Sequence, residues 1–433
     1  MDTQTLGTLI LVGSFLIMIT LRFPIAFAIG ISTAGTIIYL DLPLQQLIQN
    51  MVGGVNKFTL MAVPFFIIAG EIMGAGGISN RLIKLSNALV GWLRGGLAMV
   101  NILASMFFGG ISGSSTADTA SIGSIMIPMM KKQGYDDEFA TNVTMASSVQ
   151  GLLIPPSHNM VIFAMVAGGV SIGRLFLAGM IPGVFLGIAL MIYSFFVSIK
   201  RKYPKGDKLC IKNILVSLKD SFLGLFTVVI VVVGVVGGVF TATESAAIAV
   251  VWAFVITFFV YREIPLNDFW KILEKSINTL SIVLILIALS SAFGWVLSFL
   301  RIPALVANFI LSVTSSKIII LIMLNVMLLL LGMIMDMSSI ILIASPILLP
   351  VVLQLGMDPV HFGVILVFNL GIGLITPPVG GTLFIGSAIS GVKIERLAKT
   401  MLPFYLVMIF VLICVTYIPD AVMAIPNWIM PTR

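Results

Sequence analysis

Apolar residues run through this chain in long blocks separated by short polar interruptions. Crossing a hydrocarbon core about 30 Å thick takes about 20 helical residues. The blocks at 6–21, 24–40, 58–77, 175–199, 222–242, 245–260, 279–300 and 400–419 reach or approach that length and read as membrane-crossing helices. The segments 43–57 and 265–278 are more polar and suit amphipathic helices lying along the interface. Two longer blocks, 97–130 and 318–350, are interrupted at their centres by small and polar residues, and two more, 137–171 and 359–391, by proline pairs. The predicted fold class is an all-α polytopic membrane protein.

Composition agrees. Only 9% of the 433 residues are charged and 59% are hydrophobic, against roughly 25% charged in soluble domains. So few charges cannot cover a soluble surface, which excludes a soluble enzyme, a nucleic-acid binder and a disordered scaffold. The formal charge of +7 is accounted for by Lys and Arg in cytoplasmic loops. Cys210 sits in a basic loop and Cys414 in an apolar block, so no disulfide is expected between them. His158 and His361 are too few for an imidazole-based metal site, and no phosphate-binding GxxxxGK[ST] loop occurs. The first block, Leu6 to Leu21, has no basic residue before it and Arg22 after it, the reverse of a signal peptide. It reads as a retained helix with its N-terminus outside.

The chain is a duplication. An offset of 222 residues superposes Pro43 on Pro265, Gly110 on Gly332, Pro128 on Pro350, Gly151 on Gly373, Pro155-Pro156 on Pro377-Pro378 and Arg174-Leu175 on Arg396-Leu397. Of the five prolines between 43 and 174, only Pro64, opposite Leu286, lacks a partner. The halves are 1–199 and 222–433, joined by a basic linker at 200–221 that holds seven Lys and Arg residues and is therefore expected in the cytoplasm. The equivalent point after 421 holds only Arg433, so equivalent points lie on opposite sides and the repeat is inverted. Five crossings per half place nineteen of the 24 basic residues inside and leave Lys57, Arg174, Arg301, Lys317 and Arg433 outside. Both termini are expected in the periplasm.

In the block 97–130 the centre runs Gly109-Gly110-Ile111-Ser112-Gly113-Ser114-Ser115-Thr116-Ala117-Asp118, a turn followed by a helix start. Its arms of about 11 residues reach only to mid-membrane at 1.5 Å per residue, so it reads as a re-entrant hairpin. The partner block 318–350 carries Asp336-Met337-Ser338-Ser339 at the equivalent place and enters from the other side. Irregular backbone at that depth has to line protein or a wet cavity. The proline pairs break their helices and free carbonyl oxygens suited to a hard cation, while the following half-helix N-termini suit a carboxylate. Asp118 is expected to cap the second arm of the first hairpin, and Glu71 to pair with Arg81 or Lys84. Asp336 is a candidate cation ligand, substrate acceptor or cap, and Glu244 has a structural or a gating role.

At these residues the sequence resembles a known family. It carries Pro64-Phe65-Phe66 with Ala69-Gly70-Glu71, Ser112-Gly113-Ser114-Ser115, Gly123-Ser124-Ile125-Met126-Ile127-Pro128, Ile154-Pro155-Pro156-Ser157, Phe240-Thr241-Ala242-Thr243-Glu244, Gly332-Met333-Ile334-Met335-Asp336 and Ile375-Thr376-Pro377-Pro378-Val379-Gly380. Over essentially its whole length it is similar to the large membrane (M-type, DctM-like) subunit of tripartite ATP-independent periplasmic (TRAP) transporters. The resemblance implies an elevator-type, Na⁺-driven carrier of an organic acid in the bacterial inner membrane. The implied partners are a small four-helix membrane subunit, expected here as a separate polypeptide, and a soluble periplasmic substrate-binding protein.

The same resemblance assigns Na⁺ to Ser112, Ser114, Ser115, Ser338, Ser339, Thr376, Gly380 and Thr382, and substrate to Ser115, Ser157, His158, Asn159 and Asp336. Where many relatives read Pro-Pro-Ser-Ile-Pro, this chain has Pro156-Ser157-His158-Asn159, which points to a hydroxyl-rich acid such as sialic acid or a sugar acid over a plain C4-dicarboxylate. Two rival readings stand beside this one: a Na⁺-coupled carboxylate carrier working without a binding protein, and, remotely, an intramembrane protease built on Gly110-Ile111-Ser112-Gly113 or on Asp118 with Asp336.

Overall fold

The computed structural model describes residues 3–21, 23–206, 208–314 and 316–431; Arg22 and Arg433, used above for orientation, lie outside them. The first half comprises α1 (Thr3–Thr20), α2 (Ile25–Tyr39), α3 (Leu44–Val55), α4 (Ala62–Ala75), α5 (Ile78–Val90), α6 (Gly96–Ser112), α7 (Ser115–Lys132), α8 (Asp137–Ser148), α9 (Gln150–Leu153), α10 (His158–Val166) and α11 (Ile172–Lys200). The second comprises α12 (Ile211–Val236), α13 (Ala242–Phe254), α14 (Phe269–Phe299), α15 (Ile302–Val313), α16 (Lys317–Ile334), α17 (Met337–Gln354), α18 (Pro359–Gly373), α19 (Gly381–Ser390), α20 (Ile394–Tyr417) and α21 (Pro419–Ile429). No β-strand occurs among the described residues. Among the described residues nine helices are long and apolar enough to cross a membrane, ten if the bent pair around the first proline break counts as one span.

Helix ends repeat at the offset read from the sequence. Adding 222 to the end of α6, both ends of α7 and the starts of α8 and α11 gives the end of α16, both ends of α17 and the starts of α18 and α20. Turn chemistry sets these ends. Gly113, with φ of +60°, closes α6 in the left-handed conformation that glycine adopts most readily. The first proline pair bends its crossing by 45° between Leu153 and His158.

One predicted boundary is wrong. The segments 265–278 and 279–300, expected as an interfacial helix and a separate crossing, form the single 31-residue helix α14, about 46 Å long at 1.5 Å per residue. The difference falls beside the one unmatched proline. Pro64 lies in the first turn of α4, where proline costs no backbone bond, and α4 starts at Ala62 after a C-cap at Asn56 and a short 3-10 turn, Phe58–Met61. No such restart precedes Leu286, the counterpart of Pro64, and Thr279 donates to the Lys275 carbonyl within the unbroken helix (3.1 Å). The linker is also shorter than 200–221: α12 starts at Ile211, so Lys212 and Lys219 stand on its first turns.

Two repeat-related helices, α5 and α15, and the terminal α21 were not foreseen. Each is only 11–13 residues. Helix α5 buries Ile78, Leu82 and Ile83 while Arg81 stacks on the Tyr261 ring (3.6 Å) and pairs with Glu263 (2.5 Å). Arg81 is therefore unavailable to Glu71, which pairs instead with Lys275 of α14 (2.8 Å). Glu244 forms a capping box with Thr241, accepting from the Thr241 amide at 2.8 Å.

Burial separates the helices by environment. Helix α1 is only 17% buried and shows Leu9, Leu16 and Ile17 outward, as a lipid-facing helix does, whereas α17 is 61% buried. With lipid as apolar as leucine, close backbone approach between small residues holds such helices together. The linker is anchored too. Asp136 accepts from Arg201 and from the Tyr203 hydroxyl (2.7 Å), and the Gly95 amide donates to the Pro204 carbonyl (3.0 Å). Burial pushes the Tyr203 hydroxyl above its usual range.

Candidate functional site

Each hairpin tip is seated on the proline break of its own half. A Cβ on Gly113 would lie 2.6 Å from the Pro156 carbonyl oxygen, and one on Gly109 would lie 2.3 Å from the Gly151 Cα. In the second half a Cβ on Gly373 would lie 2.5 Å from the Gly332 carbonyl carbon, and the Val379 amide donates to the Met333 carbonyl (3.1 Å). Only glycine permits backbone contact this close.

The two halves meet through hydroxyls. Ser115, the first residue of α7, bonds through Oγ to Ser148 Oγ at the end of α8 (2.7 Å) and to Thr382 Oγ1 on the first turn of α19 (3.1 Å). All three side chains are buried. The sequence reading named Ser115 and Thr382 among the Na⁺ residues and did not include Ser148. Its signal was the run Ser147-Ser148-Val149-Gln150 just before the first proline break, but at the repeat offset Ser148 maps onto Leu370, which has no hydroxyl.

The other predicted residues divide into engaged and free. Ser114 Oγ caps α7 by accepting from the Ala117 amide (3.3 Å). Asp118 is therefore not the cap. One turn further in and fully buried, it accepts from Ser105 Oγ on the other arm (3.3 Å), and its Oδ2 has no partner. Ser112 Oγ contacts only the Ser114 backbone (3.4 and 3.5 Å). Ser157 Oγ and Asn159 Oδ1 are buried without partners, and Asn159 Nδ2 faces His158 Nε2 (3.2 Å). Gly380 turns the chain with φ of +49°, the Thr382 amide donates to the Leu374 carbonyl (3.0 Å), and Thr376 Oγ1 donates to the Ile372 carbonyl (2.7 Å).

At the second tip Asp336 is exposed and acts as the N-cap of α17. Its Oδ2 accepts from the Ser339 amide (3.1 Å) and Oδ1 from the Ser339 hydroxyl (2.5 Å), while Ser338 stands half-buried beside them. Replacing an N-cap by alanine costs about 1 kcal/mol, and asparagine retains the cap. Asp336→Ala should therefore lower the melting temperature in detergent, with Asp336→Asn close to wild type. Equal losses in both would assign the carboxylate's charge a role beyond capping.

The arrangement offers hydroxyl and carbonyl oxygens beside the starts of α7 and α19, which meet at Ser115 and Thr382. Helix starts carry unsatisfied N–H groups and partial positive charge that favour an anion. It does not offer a Ser–His pair: Ser112 bonds within its own turn and His158 bonds Asn159, whereas a serine nucleophile needs its base in hydrogen-bond reach.

Comparison with known proteins places this architecture. The family model for the DctM component of tripartite ATP-independent periplasmic transporters matches residues 12–421. The chain is 41% identical to the uncharacterized protein YgiK of Salmonella typhimurium over 98% of both chains. It is 40% identical to the C4-dicarboxylate TRAP transporter large permease protein DctM of Pseudomonas aeruginosa, covering 86% of this chain and 87% of that one. It is 38% identical to the sialic acid TRAP transporter large permease protein SiaM of Vibrio cholerae, covering 88% of each. The Alcanivorax borkumensis YdaH transporter shares the fold, with a TM-score of 0.64 at 13% identity over 98% of this chain and 99% of that one. The chain belongs to the DctM family, the large permease subunits of TRAP transporters.

Proposed function

We propose that this protein carries an organic acid across the inner membrane, driven by Na⁺, by an elevator movement of one group of helices against another. The moving group comprises the hairpins α6–α7 and α16–α17 with the broken helices α8–α10 and α18–α19; the remaining long helices form the scaffold. The observation that carries this reading is the buried hydroxyl cluster Ser115–Ser148–Thr382, which joins both halves where two helix starts meet. Hydroxyl and carbonyl oxygens are the donor types an alkali cation takes, and helix starts complement a carboxylate.

Na⁺ is assigned to the hydroxyls and carbonyls around Ser112, Ser114, Ser115, Thr376, Gly380 and Thr382, and substrate to Ser157, His158 and Asn159. Ser338, Ser339 and Asp336 form the second tip. The free acceptor on buried Asn159 supports a hydroxyl-bearing acid. Relatives named for C4-dicarboxylate and for sialic acid support a carboxylate substrate of some kind. The partners are a small membrane subunit and a periplasmic binding protein, and both termini face the periplasm.

The test is reconstitution in liposomes with the small subunit and binding protein, measuring uptake of succinate and of N-acetylneuraminate under an inward Na⁺ gradient. Accumulation that requires the gradient and favours N-acetylneuraminate is expected. Accumulation that ignores Na⁺ overturns the coupling, and accumulation without the binding protein favours the simpler carrier.

A further inference from the structure

Two cavities flank the hairpins, and they are related by the repeat. One, of about 500 Å³, lies between α4, α14 and α7 and is lined in part by Glu71, Asn80, Ser121, Ser124, Lys271 and Lys275. The other, of about 430 Å³, lies between α14, α3 and α17. Adding 222 to Ala120 and Ser124 of the first gives Leu342 and Pro346 of the second, and subtracting it from Lys271 and Lys275 gives Gln49 and Gly53, which also line the second. The fold thus supplies the same cavity twice; the first copy carries Glu71, Lys271 and Lys275, and the second carries Lys57 with no carboxylate in its lining.

The cavity that holds Lys275 leads from the candidate site. It starts beside the first hairpin tip, where Gly70 on its wall would bring a Cβ to 3.4 Å from the Ser112 Cα. It follows α7 through Ala117, Ser121, Ser124 and Ile125, the side on which the basic residues place the cytoplasm. Opposite α7, Lys275 Nζ pairs with Glu71 Oε2 at 2.8 Å. The Lys275 side chain is 69% exposed and that of Glu71 20%, so the pair contributes little to stability. A second carboxylate arriving in the cavity meets an ammonium group whose present partner is also a carboxylate, and exchanging one for the other costs little.

We infer that Lys275, held ready by Glu71, is a transient carboxylate subsite on the scaffold that receives the organic anion on the cytoplasmic side. The equivalent cavity has Gln49 and Gly53 in the places of Lys271 and Lys275, and its lysine, Lys57, has no carboxylate partner in the lining, so the carboxylate-held ammonium is peculiar to the first cavity. This rests on the transport reading above.

The experiment compares succinate and N-acetylneuraminate transport measured from each face of oriented proteoliposomes, for wild type, Lys275→Gln, Glu71→Gln and the swap Glu71→Lys with Lys275→Glu, each checked for thermal melting. The expected result for Lys275→Gln is a KM raised about fivefold from the cytoplasmic face, the scale of one exposed ion pair, with the periplasmic-face KM unchanged. Glu71→Gln should lower the cytoplasmic-face KM. The swap should keep the wild-type melting temperature without restoring that KM, because a carboxylate then stands where the ammonium belonged. If the swap restores the KM, or both faces shift equally, or Lys275→Gln matches wild type, the pair is only a brace and the subsite is overturned. Absence of wild-type transport from either face overturns the transport reading itself.

Discussion

Ser115→Ala is expected to insert, fold and melt close to wild type yet lose at least about tenfold of Na⁺-driven uptake. The substitution removes one hydroxyl that touches two others, Ser148 Oγ at 2.7 Å and Thr382 Oγ1 at 3.1 Å. A typical intramolecular hydrogen bond contributes about 1 kcal/mol net, and Ser148 Oγ keeps an alternative, the Met145 carbonyl at 2.8 Å, so that only the bond to Thr382 goes unreplaced. Stability therefore changes little. On the proposed transport reading the same oxygen matters in another way, since at the hairpin tip it links to broken helices of both halves. Ser148→Ala and Thr382→Val should move uptake in the same direction, the latter because valine keeps the shape and deletes the hydroxyl. Uptake and its dependence on Na⁺ concentration in proteoliposomes decide it. Wild-type Na⁺ dependence in all three variants would show that the cluster is packing alone.

How much of this was legible in the sequence depended on whether a feature repeated. The hairpins and breaks are marked by glycines and prolines at one offset, because backbone crossings and helix interruptions admit few other residues. Their starts were accordingly readable to within a residue, while the ends at 350 and 171 differ from Gln354 and Val166 by four and five residues. Three kinds of feature were hidden. Short amphipathic helices such as α5 and α15 lack the length that announces a crossing. The continuity of α14 was concealed by analogy with the first half, where the chain restarts as α4 just before Pro64. The hydroxyl cluster depended on tertiary contact: Ser148 has no counterpart in the second half, and Ser115 and Thr382 are 267 positions apart. The caps were misjudged for a local reason. Asp118 sits one turn beyond Ser114, which already occupies the cap, and the buried carboxylate faces Ser105 on the opposite arm.

The second large effect concerns Gly113, and its control lies just beyond the same hairpin, between α7 and α8. Gly113 and Gly134 both adopt positive φ, +60° and +83°, so alanine at either position meets the same left-handed penalty of about 1–2 kcal/mol. Their surroundings differ. A Cβ on Gly134 finds nothing within 4 Å, while one on Gly113 lies 2.6 Å from the Pro156 carbonyl oxygen and 3.2 Å from the Ser157 Cα. Those atoms are backbone and cannot rotate away, so the tip must lift off the break, and Ser114 and Ser115 move with it. Gly134→Ala should cost a few degrees in melting temperature and leave uptake near wild type. Gly113→Ala should melt lower still and abolish uptake, and a Gly113→Val variant should be poorly recovered in the membrane. Thermal melting in detergent and Na⁺-driven uptake, measured on both alanine variants side by side, separate the two contributions. Equal losses at the two positions would mean that backbone conformation is all that Gly113 supplies, and that the tip does not need its seat on Pro156 to hold Ser115 against Ser148 and Thr382.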